Sequence, residues 1–374
     1  MIKKILKGLG RLAALSVILT SLYLVNLFFM KPYSIDHYLG KELVFGLMDS
    51  PEAMTYIGVF DRFNWLTKHN SKLSIPQEDD TEKDIVDLEK SIKTLYKYDD
   101  SKLSDNQRIT KKIAIFDLEN SLKELKEFPY LDYPLNQIGG IHLNTVEFMS
   151  GMHPIRNKSE ANDYIKRVNL IKEVYEGVLK DLEKQAINEI YPPEFVYGHV
   201  IKQLNEFINY SYDDHPLYSQ FMMKVDKLKL SDEDINNLDQ EIKKAIDESV
   251  TPGFKLLLGF MKKTQKNANK NHGIWSQPGG DEYYKLRIRT YTTTDFSPEE
   301  IHQMGLSEVE RISNRMREIL TNLGYDTAKS VGEIMNELNE NPDFLYADTP
   351  DRKEIVVNDY MKMVDEAIEV MTDY

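Results

Sequence analysis

The residues that could do chemistry are few and scattered. A zinc hydrolase of the His-Glu-x-x-His type sets two imidazoles one helical turn apart, with a glutamate between them as general base. The eight histidines are His37, His69, His142, His153, His199, His215, His272 and His302. None is followed by glutamate, and no two stand four apart. They read as surface or hydrogen-bonded core residues, so neither a catalytic residue nor a metal ligand is assigned. Asp213-Asp214-His215 is the densest polar cluster, and standing before Pro216 it reads as a solvated turn. No Gly-x-Ser-x-Gly elbow and no Gly-x-x-x-x-Gly-Lys phosphate loop occurs. Cysteine is absent. That removes thiol nucleophiles, Cys-ligated zinc, iron–sulfur clusters, disulfides and an acylated lipoprotein cysteine.

The segment 275–295, WSQPGGDEYYKLRIRTYTTTD, offers a binding surface. Pro278-Gly279-Gly280 signals a turn. After it Tyr284, Leu286, Ile288 and Thr290 alternate with Lys285, Arg287 and Arg289, a period of two that predicts a strand or hairpin near 283–294. An exposed strand edge can pair with an extended peptide, and Tyr283, Tyr284, Arg287 and Tyr291 would flank that groove. The competing reading is a structural hairpin on which helices pack.

These residues need a frame, and the frame begins with an apolar run. Leu12 to Met30 is 19 residues without a charge. As a helix it spans about 28 Å, close to the hydrocarbon thickness of a bilayer. Lys3, Lys4, Lys7 and Arg11 precede it, whereas only Lys31 and Lys41 are basic in the next twenty residues. That bias places the N-terminus inside and the body outside. A cleaved signal peptide would show a shorter apolar core and a small-x-small site, and Asn-Leu-Phe-Phe-Met-Lys-Pro offers none. The expectation is a single-pass anchor in a bacterial inner membrane, residues 1–31, with a periplasmic or extracellular body, residues 32–374. The 374-residue chain carries a net charge of −14, and the body alone, with 42 basic and 61 acidic residues, −19. So acidic a body argues against nucleic acid as a partner.

The body reads as mainly α. Ser297-Pro298-Glu299-Glu300 and Ser330-Val331-Gly332-Glu333 are capping boxes, and Ser231 and Thr251-Pro252 start further helices. From Ser159, Tyr164, Val168, Ile171, Tyr175, Val178 and Leu182 mark one face of a long helix reaching toward Ile190 before Pro192-Pro193. Helices are also expected near 81–98 and 107–126. Val357, Tyr360, Met361, Val364, Ile368 and Met371 form a stripe still running at Tyr374. Loops are expected near 72–84 and 341–352; no repeat or linker divides the body.

An ordered set of short stretches carries a resemblance. Phe128-Pro129-Tyr130 leads into Leu135-Asn136-Gln137-Ile138-Gly139-Gly140, Met152-His153-Pro154 and Asp163-Tyr164-Ile165-Lys166-Arg167-Val168. Gly273-Ile274-Trp275-Ser276-Gln277-Pro278-Gly279-Gly280 runs on to Tyr283-Tyr284 and Thr292-Thr293-Thr294. Ser297-Pro298-Glu299-Glu300-Ile301-His302 then continues to Gly305-Leu306 and Glu308-Val309. Over roughly 50–374 this resembles the bacterial "domain of unknown function 885" family. The resemblance implies a helical body similar to the carboxypeptidase Taq and angiotensin-converting-enzyme type of zinc peptidases, exported or membrane-attached. The family's zinc-binding stretch, a His-Glu pair with Pro-Gly-His close behind, lies downstream of the region matched, so no catalytic residue carries over.

Three readings follow. The first is a membrane-anchored portion of a metallopeptidase-like protein, truncated and without hydrolytic activity as a single chain; it holds no cofactor itself, although zinc is expected for the full-length family. The second is a peptide-binding scaffold. The third is one half of a two-chain enzyme whose partner chain brings the His-Glu segment. All share the lipid bilayer as a partner through Leu12 to Met30.

Overall fold

The computed structural model describes residues 2–326 and 328–372, with side chains from Arg11 onward. Helix α1 (Ile2–Phe29) contains Arg11–Phe29, a stretch long and apolar enough to cross a membrane, and hardly any of it is covered by protein. The chain forms two compact units, one through Thr294 and one from Asp295.

In the first unit α2 (Ile35–Asp49), α3 (Pro51–Ile57) and the single turn α4 (Asn64–Thr67) follow the apolar helix. Then come α5 (Asp80–Tyr96), α6 (Asp105–Glu127), α7 (Ile141–Glu147) and the long α8 (Lys158–Ile187). The caps are local. The Ser104 hydroxyl accepts from the Gln107 N–H while the Gln107 side chain accepts from the Ser104 N–H, closing a capping box on α6. On α8, Tyr164, Val168, Ile171, Tyr175, Val178 and Leu182 are all buried, as their spacing requires. The helix stops three residues short of Ile190. Asn188 ends it, Glu189 takes a positive φ of 60°, and the chain turns Ile190 into a small core with Phe128 and Tyr283.

Around α8 lie α9 (Glu194–Asn209), α10 (Pro216–Val225), α11 (Asp232–Ala245) and α12 (Thr251–Thr264). Tyr197, Val200 and Leu204 of α9 and Phe254, Leu257 and Met261 of α12 complete the main core. Each such side chain contributes about 1.5–3 kcal/mol on burial. Thr251 does open α12, but as a continuation: a π turn, Ile246–Val250, joins α11 to α12 without a side-chain cap. In its wide turn the Ser249 hydroxyl accepts from the Lys172 N–H and donates to the Asn169 carbonyl, tying the turn to α8.

The expected strand near 283–294 is a helix, α13 (Gly280–Thr292). Among the described residues no sheet exists; the one β contact is an isolated bridge between Pro193 and Asn269. The reason is local. Gly280, Tyr283, Leu286 and Ile288 are the buried positions, mostly at helical spacing, and a period of two over so short a run fits that face as well. Asp281 and Glu282 occupy the first turn, where the helix dipole favours anions, and Glu282 pairs with Lys285 at 2.6 Å. Gly279 turns the chain in with φ 73°, and a Cβ on Gly280 would lie 1.8 Å from the Ile274 carbonyl oxygen. Only glycine fits there.

In the second unit, α14 (Pro298–Asn322) and α15 (Val331–Glu340) begin on the expected Ser297–Glu300 and Ser330–Glu333 boxes, and α16 (Arg352–Thr372) follows. Leu320 and Ile334 are buried here, and no residue of α16 is.

Candidate functional site

A buried polar cluster of the first unit is built around a cation. Arg167 stands on the buried stripe of α8, three residues after Tyr164, and is fully buried. Its Nε donates to the Lys72 carbonyl at 2.7 Å. One terminal nitrogen serves the Pro51 carbonyl at 3.1 Å, the Thr55 hydroxyl at 2.7 Å and the His69 carbonyl at 2.8 Å. The other lies 3.0 Å from His153 Nδ1, and the guanidinium carbon sits 5.0 Å from the Phe148 ring centre. The stretch 51–72 is thereby fastened to α8 through a single side chain. Burial lowers the guanidinium to about 10, against the nearby Glu52, Asp163 and Asp61 carboxylates, which favour its charge.

Two imidazoles flank this cation. A guanidinium N–H can only donate, so His153 Nδ1 must accept and the ring is neutral, its Nε2–H directed at the Glu160 carbonyl 3.3 Å away. Burial, helped by Arg167, pulls His153 down to about 3. His69 is also buried; its Nδ1 is 2.6 Å from the Thr67 hydroxyl and its Nε2 is 3.5 Å from Asp61 Oδ1. Burial lowers it too, with Asp61 opposing. The other Asp61 oxygen accepts from Arg156 at 2.6 Å, and Arg156 also holds Glu160. Every nitrogen of His153 is spent, which leaves one imidazole and one carboxylate facing each other.

The other described histidines do not converge. His142 is buried with Nε2 3.0 Å from Gln203 Oε1. His215 is buried, not solvated: Asp213 and Asp214 remain on the surface, whereas the His215 ring accepts the Leu217 N–H and caps α10. Burial takes it down to about 4. His37 lies edge-on to Tyr23, His272 edge-on to Phe195, and His199 and His302 are exposed. Among the described residues, no three His, Asp or Glu side chains are placed to hold a metal ion.

The four residues expected to flank a peptide groove lie on α13. As helix rather than strand, α13 uses its main-chain groups internally, so edge pairing with a peptide is not open to it. Tyr283, Arg287 and Tyr291 follow at i, i+4 and i+8, and the first two meet Glu124 of α6. Arg287 donates to both Glu124 oxygens at 3.1 and 2.9 Å and to the Tyr291 hydroxyl at 2.8 Å. The Tyr283 hydroxyl is 3.2 Å from Glu124, and burial raises it to about 12. Tyr284 is left out of this group and half exposed.

Beside that cluster opens a cleft of about 660 Å³ between the segment 74–85, the end of α6, the turn 129–134 and the end of α8. Ile75, Pro129 and Tyr130 give it apolar walls. Glu78, Asp80, Glu82, Asp132 and Asp181 supply five carboxylates against Lys184, which pairs with Asp181 at 3.4 Å. Such walls suit an extended ligand with apolar and cationic groups. Sequence reasoning did not find Arg167, Glu124 or this cleft. For Arg167 a signal existed, a cation inside an otherwise apolar helical stripe; the cleft residues come from four separate segments and had none.

Two solved structures share this fold. The first is titled "The crystal structure of the putative lipoprotein from Colwellia psychrerythraea"; it is 25% identical, with a TM-score of 0.74, over 87% of this chain and 58% of that one. The second is "The structure of a putative lipoprotein of unknown function from Shewanella oneidensis", at 15% identity and a TM-score of 0.54, over 86% of this chain and 57% of that one. The chain thus spans less than two thirds of either. No curated protein matches it. Residues 51–374 match the family described as "Bacterial protein of unknown function (DUF885)", and the chain belongs to that family.

Proposed function

We propose that this chain is a membrane-tethered, metallopeptidase-like protein that does not hydrolyse peptides by itself. A peptidase of that type activates water on a metal held by several imidazoles or carboxylates. One observation carries the reading. The Arg167 guanidinium sits against the His153 ring and the His69 main-chain carbonyl, and His153 has both ring nitrogens engaged. A dication there would meet a resident cation. Purified full-length chain in detergent is expected to carry no stoichiometric zinc and to show no chelator-sensitive peptide cleavage. A zinc bound per chain, with cleavage lost on chelation, would overturn this.

The tether in this proposal is α1, with the cationic end inside and the body outside the bacterial plasma membrane. The two structural relatives carry the description "putative lipoprotein". This chain has no cysteine to acylate, and α1 supplies the attachment instead. Protease added to spheroplasts should digest the body and spare the first residues; a protected body would reverse the orientation.

The cleft supports a second reading, a scaffold that holds basic peptides or works with a second polypeptide. Peptide affinity should fall with salt and with Asp132→Asn or Asp181→Asn. No binding across a lysine- and arginine-rich peptide set would end the peptide version. Co-purification of a chain bearing a His-Glu segment would favour the two-chain version.

A further inference from the structure

The junction between α1 and α2 is held by several contacts. Asn26, three residues before the end of α1, donates to the Lys31 carbonyl at 3.0 Å and accepts from the Tyr33 N–H at 3.0 Å. The Lys31 ammonium reaches the Lys97 carbonyl at 3.2 Å and lies 4.3 Å from the Tyr98 ring centre. The Tyr98 hydroxyl donates to the Pro32 carbonyl at 2.8 Å. Tyr23 and Phe28 of α1 meet His37 and Phe45 of α2, with ring centres 5.4 and 5.9 Å apart. Within the first unit α2 therefore lies against the last two turns of the apolar helix.

The surface beside that junction is apolar. The first turns of α2 bury Ile35 and Tyr38 against Leu95 and Tyr98. Its second half, Leu43 to Met48, contains no charge and leaves Leu43, Phe45 and Met48 exposed. Tyr56 on α3, which packs on α2, is exposed as well, and past α3 so are Trp65 and Leu66, Trp65 at 75%. Arg62 and Lys68 stand exposed in the same segment. Large aromatic and aliphatic side chains interspersed with a few cations are the composition of an interfacial surface.

We propose that α2 and residues 56–66 form a bilayer seat, a second lipid contact at headgroup depth beside the membrane span. The occupant is the bilayer because the patch is continuous with α1 through the Phe28–Phe45 contact and no flexible linker intervenes. The proposal rests on reading α1 as a membrane span. Its consequence is orientation: one face of the first unit is held on the membrane.

Trp65 is a built-in probe, since Trp275 is the chain's other tryptophan. Full-length Trp275→Phe protein, reconstituted in vesicles of phosphatidylcholine and phosphatidylglycerol, should show blue-shifted Trp65 emission. Replacing the phosphatidylcholine with a chain-brominated form should remove most of that emission. Leu43→Glu with Met48→Glu, both at exposed positions, should shift the emission back toward the red and weaken the quenching. Alkaline carbonate washing separates the two readings. A chain retained by the vesicles, with Trp65 unquenched and as red as in water, overturns the seat and leaves the span; a chain washed off overturns both.

Discussion

Arg167 and His153 face each other at 3.0 Å across the buried heart of the first unit, donor to acceptor, so the imidazole there is held neutral by a cation. The same guanidinium takes the carbonyls of Pro51, His69 and Lys72. Removing it takes the side-chain donor from the Lys72 carbonyl and leaves the Pro51 and His69 carbonyls only the Thr55 hydroxyl and the Lys72 N–H, and it empties a fully buried site, so Arg167→Ala should destabilise the full chain by about 3–5 kcal/mol. Arg167→Lys keeps the charge but not the planar fork, and should recover only part of that loss. Urea midpoints in detergent, with the exposed Arg62→Ala as control, measure both; equal midpoints would mean that Arg167 does not fasten the 51–72 stretch.

The neutral imidazole gives stability a pH dependence. His153 has a folded value of about 3 against an ordinary 6.5. Below 6.5 the unfolded chain takes up a proton that the folded chain refuses, so stability falls as pH drops from 6.5 toward 3 and is flat above that window. His215, at about 4 when folded, acts in the same direction. His153→Gln can still accept from Arg167 without titrating. Melting temperatures between pH 8 and pH 4 should therefore fall less for His153→Gln than for the unchanged protein; parallel curves would remove His153 from the explanation.

Gly280 makes a sharper local test. A Cβ there would meet the Ile274 carbonyl oxygen at 1.8 Å, a backbone atom with little room to move. Gly280→Ala should cost about 1–3 kcal/mol, as overpacking does, and should disturb the seating of Tyr283 on Phe128. Gly279→Ala, where the strain is φ 73° and space is open to 3.6 Å, should cost less. Denaturant titration ranks the two.

Much of this architecture was legible because its signals are local. A Ser with Glu or Gln three residues on, as at Ser297–Glu300, needs no distant partner to start a helix. The stripe from Tyr164 to Leu182 announces its buried face by spacing alone. The α13 segment misled because Tyr284, Leu286 and Ile288 alternate over too few residues to separate two periods. The deciding contact, the Ile274 carbonyl over Gly280, is tertiary. Arg167 was hidden for a related reason: most of its partners are backbone carbonyls, which carry no side-chain signature, and they lie 95 to 116 residues away.

The α13 helix also reassigns its residues. Arg287 is committed to Glu124, with both partners about a third exposed. Screening reduces such a pair, so Arg287→Ala should cost about 1 kcal/mol of stability. Tyr284 has a half-exposed ring and should cost close to nothing when changed to Ala. If peptides bind along α13, Tyr284→Ala weakens them without lowering the melting temperature, whereas Arg287→Ala lowers both. Fluorescence anisotropy with a labelled basic peptide, paired with melting curves, reads the split; equal affinity for all three proteins would move the binding surface off α13.

The second unit exposes apolar side chains along two of its helices. Val357, Tyr360, Met361, Val364 and Ile368 line one face of α16, and each is more than half exposed except Val357 at 48%. Met304, Leu306, Val309 and Ile312 are exposed on α14. Apolar area gains about 25 cal/mol per Å² on leaving water, so these faces favour association over solvation. The full chain in detergent should therefore show concentration-dependent association by light scattering. Val357→Lys, Val364→Lys and Ile368→Lys together place three cations on the α16 face without touching a buried residue, and should return the protein to a monomer with its helix content unchanged. A monomer at every concentration before any substitution would mean that the helical faces of this unit are stable in water as they stand.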